Sequence, residues 1–307
     1  MLDVCLMGCG GSMPKPDRWL SSAIMRLEGK SVVIDCGEGT QLAMKEAGFA
    51  FKSVGVILIT HFHADHVSGL PGFLLSMGNE GRTDPVLIAG PRGISRVVRS
   101  LCVVAPDLPF EVEILEIPRE GGSFSRDGFD VETVEASHTC PCFGYRIRIN
   151  RAGKFDPEKA ESNGVPLKYW NRLQHGETVT DGDLVFTPDL VLGPPRRGIT
   201  VSYVVDTRPL PGMAKAVEGS DLLIIEGMFG EEKRERAEKS MHMTMAEAAR
   251  IARDAGAEKV WLTHFSPSVP DPGEFIGEAR AIFPAAEPGE DGMKTTLFFR
   301  EDGESDE

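Results

Sequence analysis

Thr60-His61-Phe62-His63-Ala64-Asp65-His66, directly after the apolar run 54–59, decides the reading of this chain. Three imidazoles and a carboxylate fall within residues 61–66, although the whole chain has only seven histidines. Imidazole and carboxylate donors suit zinc and neighbouring transition metals. The apolar run reads as a buried strand. On its extended exit, His61 and His63 are two residues apart, so they point to one side and can grip one ion. Asp65 and His66 follow where the chain turns, aimed at a second ion. One tight segment feeding two metals implies a dinuclear hydrolase. A polar surface loop with chance histidines would not explain their density or the strand that precedes them.

The rest of the composition is compatible with that. At 307 residues and 41% hydrophobic content, the chain can bury a large core in one or two domains. No run approaches the roughly 18 apolar residues of a membrane span. Met1-Leu2-Asp3-Val4-Cys5 has an acid where a signal peptide carries basic residues, so a cytoplasmic location is expected. The six cysteines (Cys5, Cys9, Cys36, Cys102, Cys140, Cys142) form no CxxC pair and are expected to stay reduced, mostly as small core residues. Cys140-Pro141-Cys142 as a soft metal site is the weaker alternative, since no further cysteine ligand lies nearby.

A net charge of −14 argues at first against a nucleic-acid partner. Its distribution argues less strongly. Residues 143–200 carry nine Lys or Arg against seven Asp or Glu, which is +2 and leaves −16 elsewhere. The tail 301–307 holds five acids and is expected to be disordered. Metal ligands account for part of the remaining acidity.

Apolar runs predict strands over 2–7, 22–27, 31–35, 54–60, 86–89, 111–117, 129–135 and 144–149. Helices are expected over 40–47, 93–102 and, broken at Pro71, over 67–77. Gly8-Cys9-Gly10-Gly11 reads as a tight turn, because it lacks a third glycine at 13 and no helix follows. Residues 151–200 are polar, with several Gly and Pro and little strand pattern, and read as an insertion on a compact body. Beyond it, 199–205, 222–225 and 260–263 are apolar runs with polar ends. Thr244-Met245-Ala246-Glu247 fits a capping box opening a helix 245–255, closed by Gly256. Strands and helices in alternation, with polar residues at strand ends, predict an α/β layered domain.

Four further residues stand at such ends. His138 follows the strand near 131–136, Asp206 follows 200–205, His242 precedes the capped helix, and His264 follows 260–263. A lone histidine is more often a satisfied polar residue than a ligand, and Asp206 alone could be a turn residue. Their joint appearance with the 61–66 cluster shifts that balance, leaving only His175 of the seven histidines without a role.

Here the chain resembles a known family. Thr60–His66 is similar to the signature of the metallo-β-lactamase superfamily. Within it, the chain resembles ribonuclease Z, the endonuclease that removes 3′ trailers from precursor tRNA. The resemblance rests on Leu6-Met7-Gly8-Cys9-Gly10-Gly11 with Pro16-Asp17-Arg18, on Ile34-Asp35-Cys36-Gly37-Glu38-Gly39-Thr40-Gln41, and on Ser137-His138 with Phe143-Gly144-Tyr145-Arg146. It continues through Leu192-Gly193-Pro194-Pro195-Arg196-Arg197-Gly198, Asp206-Thr207-Arg208-Pro209, His242-Met243-Thr244 and Leu262-Thr263-His264-Phe265-Ser266, in the family's order. The superfamily motif is common to many hydrolases, whereas the 35–41 and 193–198 stretches are much narrower.

The resemblance implies an α/β fold: one αββα sandwich over 1–300, with a protruding arm at about 151–197. It implies two zinc ions, with manganese as the alternative metal. His61, His63 and His138 would hold one ion, Asp65, His66 and His264 the other, and Asp206 would bridge them. Asp65 would also accept a proton, and His242 would protonate the departing 3′ oxygen. Asp35 would support a ligand histidine, and Glu226 belongs to the surrounding support. The arm would grip precursor tRNA through Lys168, Arg172, Arg196 and Arg197, while Tyr169 and Trp170 are expected to pack the arm's own core rather than stack on bases. The family's short form is usually a homodimer. The rival readings are a small-molecule phosphodiesterase on the same scaffold and a tRNA-binding protein without catalysis.

The chain departs from the family's pattern in places. Val165-Pro166-Leu167 replaces the arm's usual Gly-Pro, Ile225 stands where a histidine usually precedes the glutamate, Val205 replaces a glycine before Asp206, and Ser268 stands where an arginine often follows His-Phe-Ser. None removes a ligand in the implied set.

Overall fold

A computed structural model describes residues 1–300. They divide into two units: Met1–Arg148 with Thr200–Phe298, and Ile149–Ile199 with, among the described residues, Phe299 and Arg300.

The larger unit begins with an antiparallel meander, β1 (Leu2–Gly8), β2 (Ser22–Leu27) and β3 (Lys30–Ile34). Helix α1 (Thr40–Glu46) then leads to β4 (Val54–Leu58), parallel to β3. Helices α2 (Ala64–Val67) and α3 (Leu70–Asn79) lead to β5 (Val86–Pro91), and α4 (Ile94–Leu101) leads to β6 (Val112–Ile117), again in parallel. A second sheet starts with β7 (Ser123–Arg126), β8 (Phe129–Glu135) and β9 (Phe143–Arg151).

The smaller unit contains α5 (Pro157–Ser162), α6 (Trp170–Gln174) and a hairpin of β10 (Val179–Asp181) with β11 (Leu184–Phe186). Asp156 caps α5 by accepting from the Lys159 amide at 2.9 Å. Ala160, Val165, Leu173, Val179, Phe186, Val191 and Leu192 form a small core of its own, with Tyr169 and Trp170 packed against it. The Trp170 indole donates to the Val165 carbonyl at 2.9 Å.

The second sheet resumes with β12 (Arg196–Val204) and continues in parallel through β13 (Leu222–Glu226), β14 (Val260–Thr263) and β15 (Ala286–Pro288). Helices α7 (Met213–Ala216), α8 (Arg234–Ser240), α9 (Met245–Asp254) and α10 (Ile276–Arg280) lie between them in sequence. Finally β16 (Met293–Leu297) returns to the first sheet, antiparallel to β1. The two seven-stranded sheets run β16-β1-β2-β3-β4-β5-β6 and β15-β14-β13-β12-β9-β8-β7. Both are mixed, and helices flank them, as expected for an αββα sandwich.

Alternation builds these layers. Cys5, Met7, Ile24, Val33 and Ile57 pack with Met44, Phe73, Leu74 and Met77 of α1 and α3. Their neighbours Val4, Leu6, Met25, Val32, Val56 and Leu58 are equally buried, so these strands are covered on both faces. On the other sheet, α9 packs on β13 and β14 through a face of mostly small residues, Ala246, Ala248, Ala249 and Ala252. Its capping box forms in full between Thr244 and Glu247. Such a cap contributes about 0.5–2 kcal/mol.

Several boundaries differ from the sequence reading. Pro71 does not break a helix: it sits in the first turn of α3, where a proline loses no hydrogen bond, and Ser68–Gly69 separate α2 from α3. Strand β4 ends at Leu58, two residues before Thr60, because Thr60 turns to bind Asp35. The 151–200 stretch holds two helices and a hairpin that its short, polar elements concealed. The acidic tail 301–307 lies outside the described residues.

Candidate metal centre

The candidate ligands lie at or just beyond the carboxyl ends of strands, where open α/β sheets collect their functional groups. His61 and His63 leave β4, while Asp65 and His66 ride on α2. His138 follows β8, Asp206 follows β12, and His264 follows β14. Asp35, Asp206 and His264 all adopt left-handed backbone conformations, with φ of 60°, 55° and 59°. Such angles are uncommon outside glycine and cluster at functional sites, where packing holds the chain against its preference.

His61, His63, His138 and Asp206 offer donor atoms that all lie within 4.8 Å of one another. Asp65, His66 and His264 form a second such group, and Asp206, His242 and His264 a third. Asp206 links the first group to the third, and His264 links the third to the second. Asp206 Oδ1 is 3.2 Å from His264 Nε2, 3.6 Å from His138 Nε2 and 3.9 Å from His61 Nε2. Its Oδ2 is 3.2 Å from His66 Nε2, and both of these buried atoms lack a hydrogen-bond partner. Leaving two buried polar atoms unpaired is costly unless something else engages them. Nitrogen and oxygen donors converging in this way fit bound metal.

Surrounding groups fix the rings. His66 Nδ1 lies 2.8 Å from Asp35 Oδ2, and Asp35 in turn accepts from the Thr60 amide at 2.8 Å and from its hydroxyl. A carboxylate on the outer nitrogen leaves His66 Nε2 to face the centre. His264 Nδ1 is held by Ser21 Oγ at 3.0 Å, and His138 Nδ1 by the Met241 carbonyl at 3.2 Å. Asp65 Oδ2 accepts from the Ser12 amide at 2.7 Å. Two glycines are needed for close approach. A Cβ on Gly11 would stand 2.7 Å from His264 Nε2, and one on Gly37 would stand 2.0 Å from the Asp65 carbonyl oxygen. The 35–41 stretch thus serves α2: the Cys36 amide donates to the His66 carbonyl at 2.8 Å.

Charge follows burial and pairing. Burial disfavours the charged form of Asp206, but His264 and His66 outweigh it and hold the carboxyl well below its usual range. The same balance of burial against the His66 interaction leaves Asp65 lowered. His61 goes the other way, pushed down to about 2 by burial and the neighbouring imidazoles, so its nitrogen is free to donate a lone pair. His242 is buried too, but Glu226 overcomes that cost and raises it. Glu226 Oε2 is 3.1 Å from His242 Nδ1 and accepts the Met243 amide at 3.1 Å, while its Oε1 accepts the Thr207 amide at 2.5 Å.

The structure brings the sequence-derived set 61, 63, 65, 66, 138, 206, 242 and 264 together, with Asp35 and Glu226 behind it. Sequence reasoning missed Arg208, whose guanidinium binds the His242 carbonyl at 2.5 Å and grips both Glu247 oxygens at 2.9 and 2.7 Å. Ser12 and Ser21 were missed as well, since nothing in a lone serine signals a partner 53 or 243 residues away. Cys140 Sγ is 3.8 Å from His63 Nε2, whereas Cys142 is buried and donates to the Val205 carbonyl, so the two thiols do not converge. Of the residues expected to grip RNA, Lys168 pairs with Asp181 at 3.2 Å and Arg172 with Glu177 at 2.7 Å, all exposed. Arg196 donates to the Ala152 carbonyl at 2.9 Å, and Arg197 has partners of its own.

Two sandwiched mixed sheets, with a His-x-His-x-Asp-His segment at their carboxyl ends, define a metallo-β-lactamase-fold hydrolase. Residues 172–265 match the β-lactamase superfamily domain, and residues 2–152 match the family model of the anti-Pycsar protein Apyc1. Ribonuclease Z of Lachnoclostridium phytofermentans is 48% identical over 300 residues, covering 97% of this chain and 99% of its own. Ribonuclease Z of Agathobacter rectalis is 48% identical over 303 residues, covering 98% and 100%. The crystal structure of human tRNase Z, short form, superposes with a TM-score of 0.71 at 22% identity, covering 97% and 100%. The chain belongs to the ribonuclease Z family.

Proposed function

We infer that this chain is a metal-dependent endoribonuclease that hydrolyses one phosphodiester to release the 3′ trailer of precursor tRNA, leaving a 3′-hydroxyl on the tRNA and a 5′-phosphate on the trailer. Near-half identity to ribonuclease Z over the full length carries the assignment. The reading of the site rests on three interlocking groups of donors, two of which contain the buried Asp206, with a carboxylate-paired histidine beside them.

On this reading His61, His63 and His138 would hold one zinc and Asp65, His66 and His264 the other, with Asp206 serving both and manganese as the alternative metal. When bound, such a pair supplies charge against the attacked phosphate and draws the pKa of a water toward about 7. The chain's own groups do the rest. Asp65, kept ionised beside His66 and oriented by the Ser12 amide, accepts the proton of the attacking water. Glu226 keeps His242 protonated and aimed, so that it delivers a proton to the leaving 3′ oxygen. Asp35 fixes His66. The ion pairs of Lys168 and Arg172 are exposed and screened by solvent, so RNA phosphates can displace the acids. Residues 151–197 then act as the tRNA arm, with Arg196 and Arg197, and a homodimer lets one subunit's arm serve its partner's site. A cytoplasmic protein is implied by that substrate. No helix among the described residues is long and apolar enough to cross a membrane.

The test is cleavage of a 3′-extended precursor tRNA by zinc-replete protein, with end mapping of both products. Hydrolysis of small phosphodiesters without precursor cleavage would instead make the chain a small-molecule phosphodiesterase. Replacing His242 with alanine is expected to lower the cleavage rate by roughly 10²–10⁴ while tRNA binding persists. Binding without any cleavage by the unaltered protein would leave only the catalytically inactive reading.

A further inference from the structure

The proposed hydrolysis leaves one motif without a task, Cys140-Pro141-Cys142, which begins two residues beyond His138. Both thiols are free, and neither belongs to a group of candidate metal donors among the described residues. The loop that carries them closes over the exit of β4, where the Phe143 amide donates to the Thr60 carbonyl at 3.1 Å. Cys142 is buried and turns toward the Val205 carbonyl, one residue before Asp206. Cys140 is half-buried and turns toward His63.

His63 Nδ1 lies 2.9 Å from His61 Nε2 and 3.2 Å from His138 Nε2, so this nitrogen faces the centre. Its Nε2 points outward, 3.8 Å from Cys140 Sγ and 3.5 Å from Thr139 Oγ1. A histidine that ligates through Nδ1 carries its proton on Nε2, and that proton needs an acceptor. Sulfur is a large, weak acceptor and takes such a proton at 3.8 Å, whereas 3.5 Å is long for an oxygen. The sulfur is also fixed in place, because the Phe62 amide donates to it. The other histidines of the implied ligand set already have an outer partner: Thr60 at His61, Asp35 at His66, the Met241 carbonyl at His138 and Ser21 at His264. His63 is the one left over. Its ring, unlike those of His61, His66 and His264, is not buried, so packing alone does not aim it. We propose that Cys140 is the positioning residue for His63, its sulfur accepting the Nε2 proton and so aiming Nδ1 at the metal.

This rests on the reading of His63 as a ligand and can fail separately from it. The probes are zinc and cobalt(II), added to the metal-free protein and followed by competition with a chromophoric chelator and by the cobalt absorption bands. His63→Ala should weaken metal binding, and no loss there would overturn the ligand reading itself. Cys140→Val stays close to the thiol in volume and removes the acceptor. It should raise the Kd for the metal at His63 about 10–100-fold, the usual cost of losing an outer partner, and shift the cobalt bands. Cys140→Ala, which adds no branch, should match it. Cys140→Ser keeps an acceptor and should recover most of the affinity. A side chain that only packs would give the opposite order, with valine tolerated and serine not, and that order would overturn the proposal. So would a Kd and cobalt bands unchanged in Cys140→Val, which would pass the role to Thr139 if Thr139→Val shows the loss. Melting temperatures of the metal-free proteins check that each variant folds.

Discussion

Glu226→Gln tests the acid role of His242 most directly. The substitution keeps the shape of a fully buried side chain and removes its charge. Glu226 accepts three hydrogen bonds, from His242 Nδ1 and from the Met243 and Thr207 amides. An amide has only one acceptor oxygen, so one of those donors faces an NH₂ group. With hydrogen bonds to charged groups contributing about 1.5–3 kcal/mol, a stability loss of roughly that size is expected. The larger effect is on His242. Burial pulls its pKa down, and Glu226 is the main group pulling it above the ordinary value. Without that carboxylate, the pKa of the imidazole falls. Less of it then carries the proton at pH 7.5, so single-turnover cleavage should drop at that pH, by up to the roughly 10²–10⁴-fold that a positioned general acid contributes. The sign is fixed: a general acid works below its pKa, so the alkaline limb of the rate profile moves to lower pH. The assay is single-turnover cleavage of a precursor tRNA from pH 5 to 9, beside hydrolysis of bis(p-nitrophenyl) phosphate, whose leaving group needs no proton. An alkaline limb that stays in place would refute the reasoning. So would an equal loss on the p-nitrophenyl ester.

Other outcomes follow from single distances. Gly11→Ala places a methyl 2.7 Å from His264 Nε2, so zinc content by elemental analysis should fall below that of the unaltered protein. Glu247 is buried, yet Arg208 and the Thr244 amide keep its carboxyl below its usual range. A depressed folded pKa contributes stability above the unfolded value, about 4.3, that is lost as pH falls through the folded one. Glu247→Gln should therefore lower stability at pH 7 and flatten the acid side of a melting-temperature profile; an unchanged slope would exclude the linkage. Replacing Lys168 and Arg172 with alanine should weaken tRNA binding and reduce the slope of log Kd against log salt by roughly 0.7–0.9 per lost phosphate contact. An unchanged slope would remove both residues from the RNA contact.

Much of the candidate site was readable because its donors sit at strand ends, where a change from apolar to polar marks a position along the chain. Residues 61–66 needed only a strand before them. His138, Asp206 and His264 needed three more. The capping box at 244–247 was readable because both of its bonds are local. The hairpin β10–β11 and the edge strands β7 and β15 were not, since three or four residues carry no usable period. Pro71 was misread because proline within an apolar run marks a helix start as readily as a break.

The sequence by itself determined the donor chemistry, the α/β layering and the family, since these depend on residue type, local period and motif order. Only the tertiary structure decided the distances around Asp206, whose Oδ1 lies 3.2 Å from His264 Nε2 and whose Oδ2 lies 3.2 Å from His66 Nε2. It also decided that Glu226 rather than another acid faces His242, that Arg208 ties His242 to Glu247, and that Ser12 and Ser21 orient residues more than 50 positions away. The physical reason is that hydrogen bonds depend on ångström distances between chain segments remote in sequence. Left-handed turns at Asp35, Asp206 and His264 set those distances, and only packing of the two sheets holds non-glycine residues in that conformation.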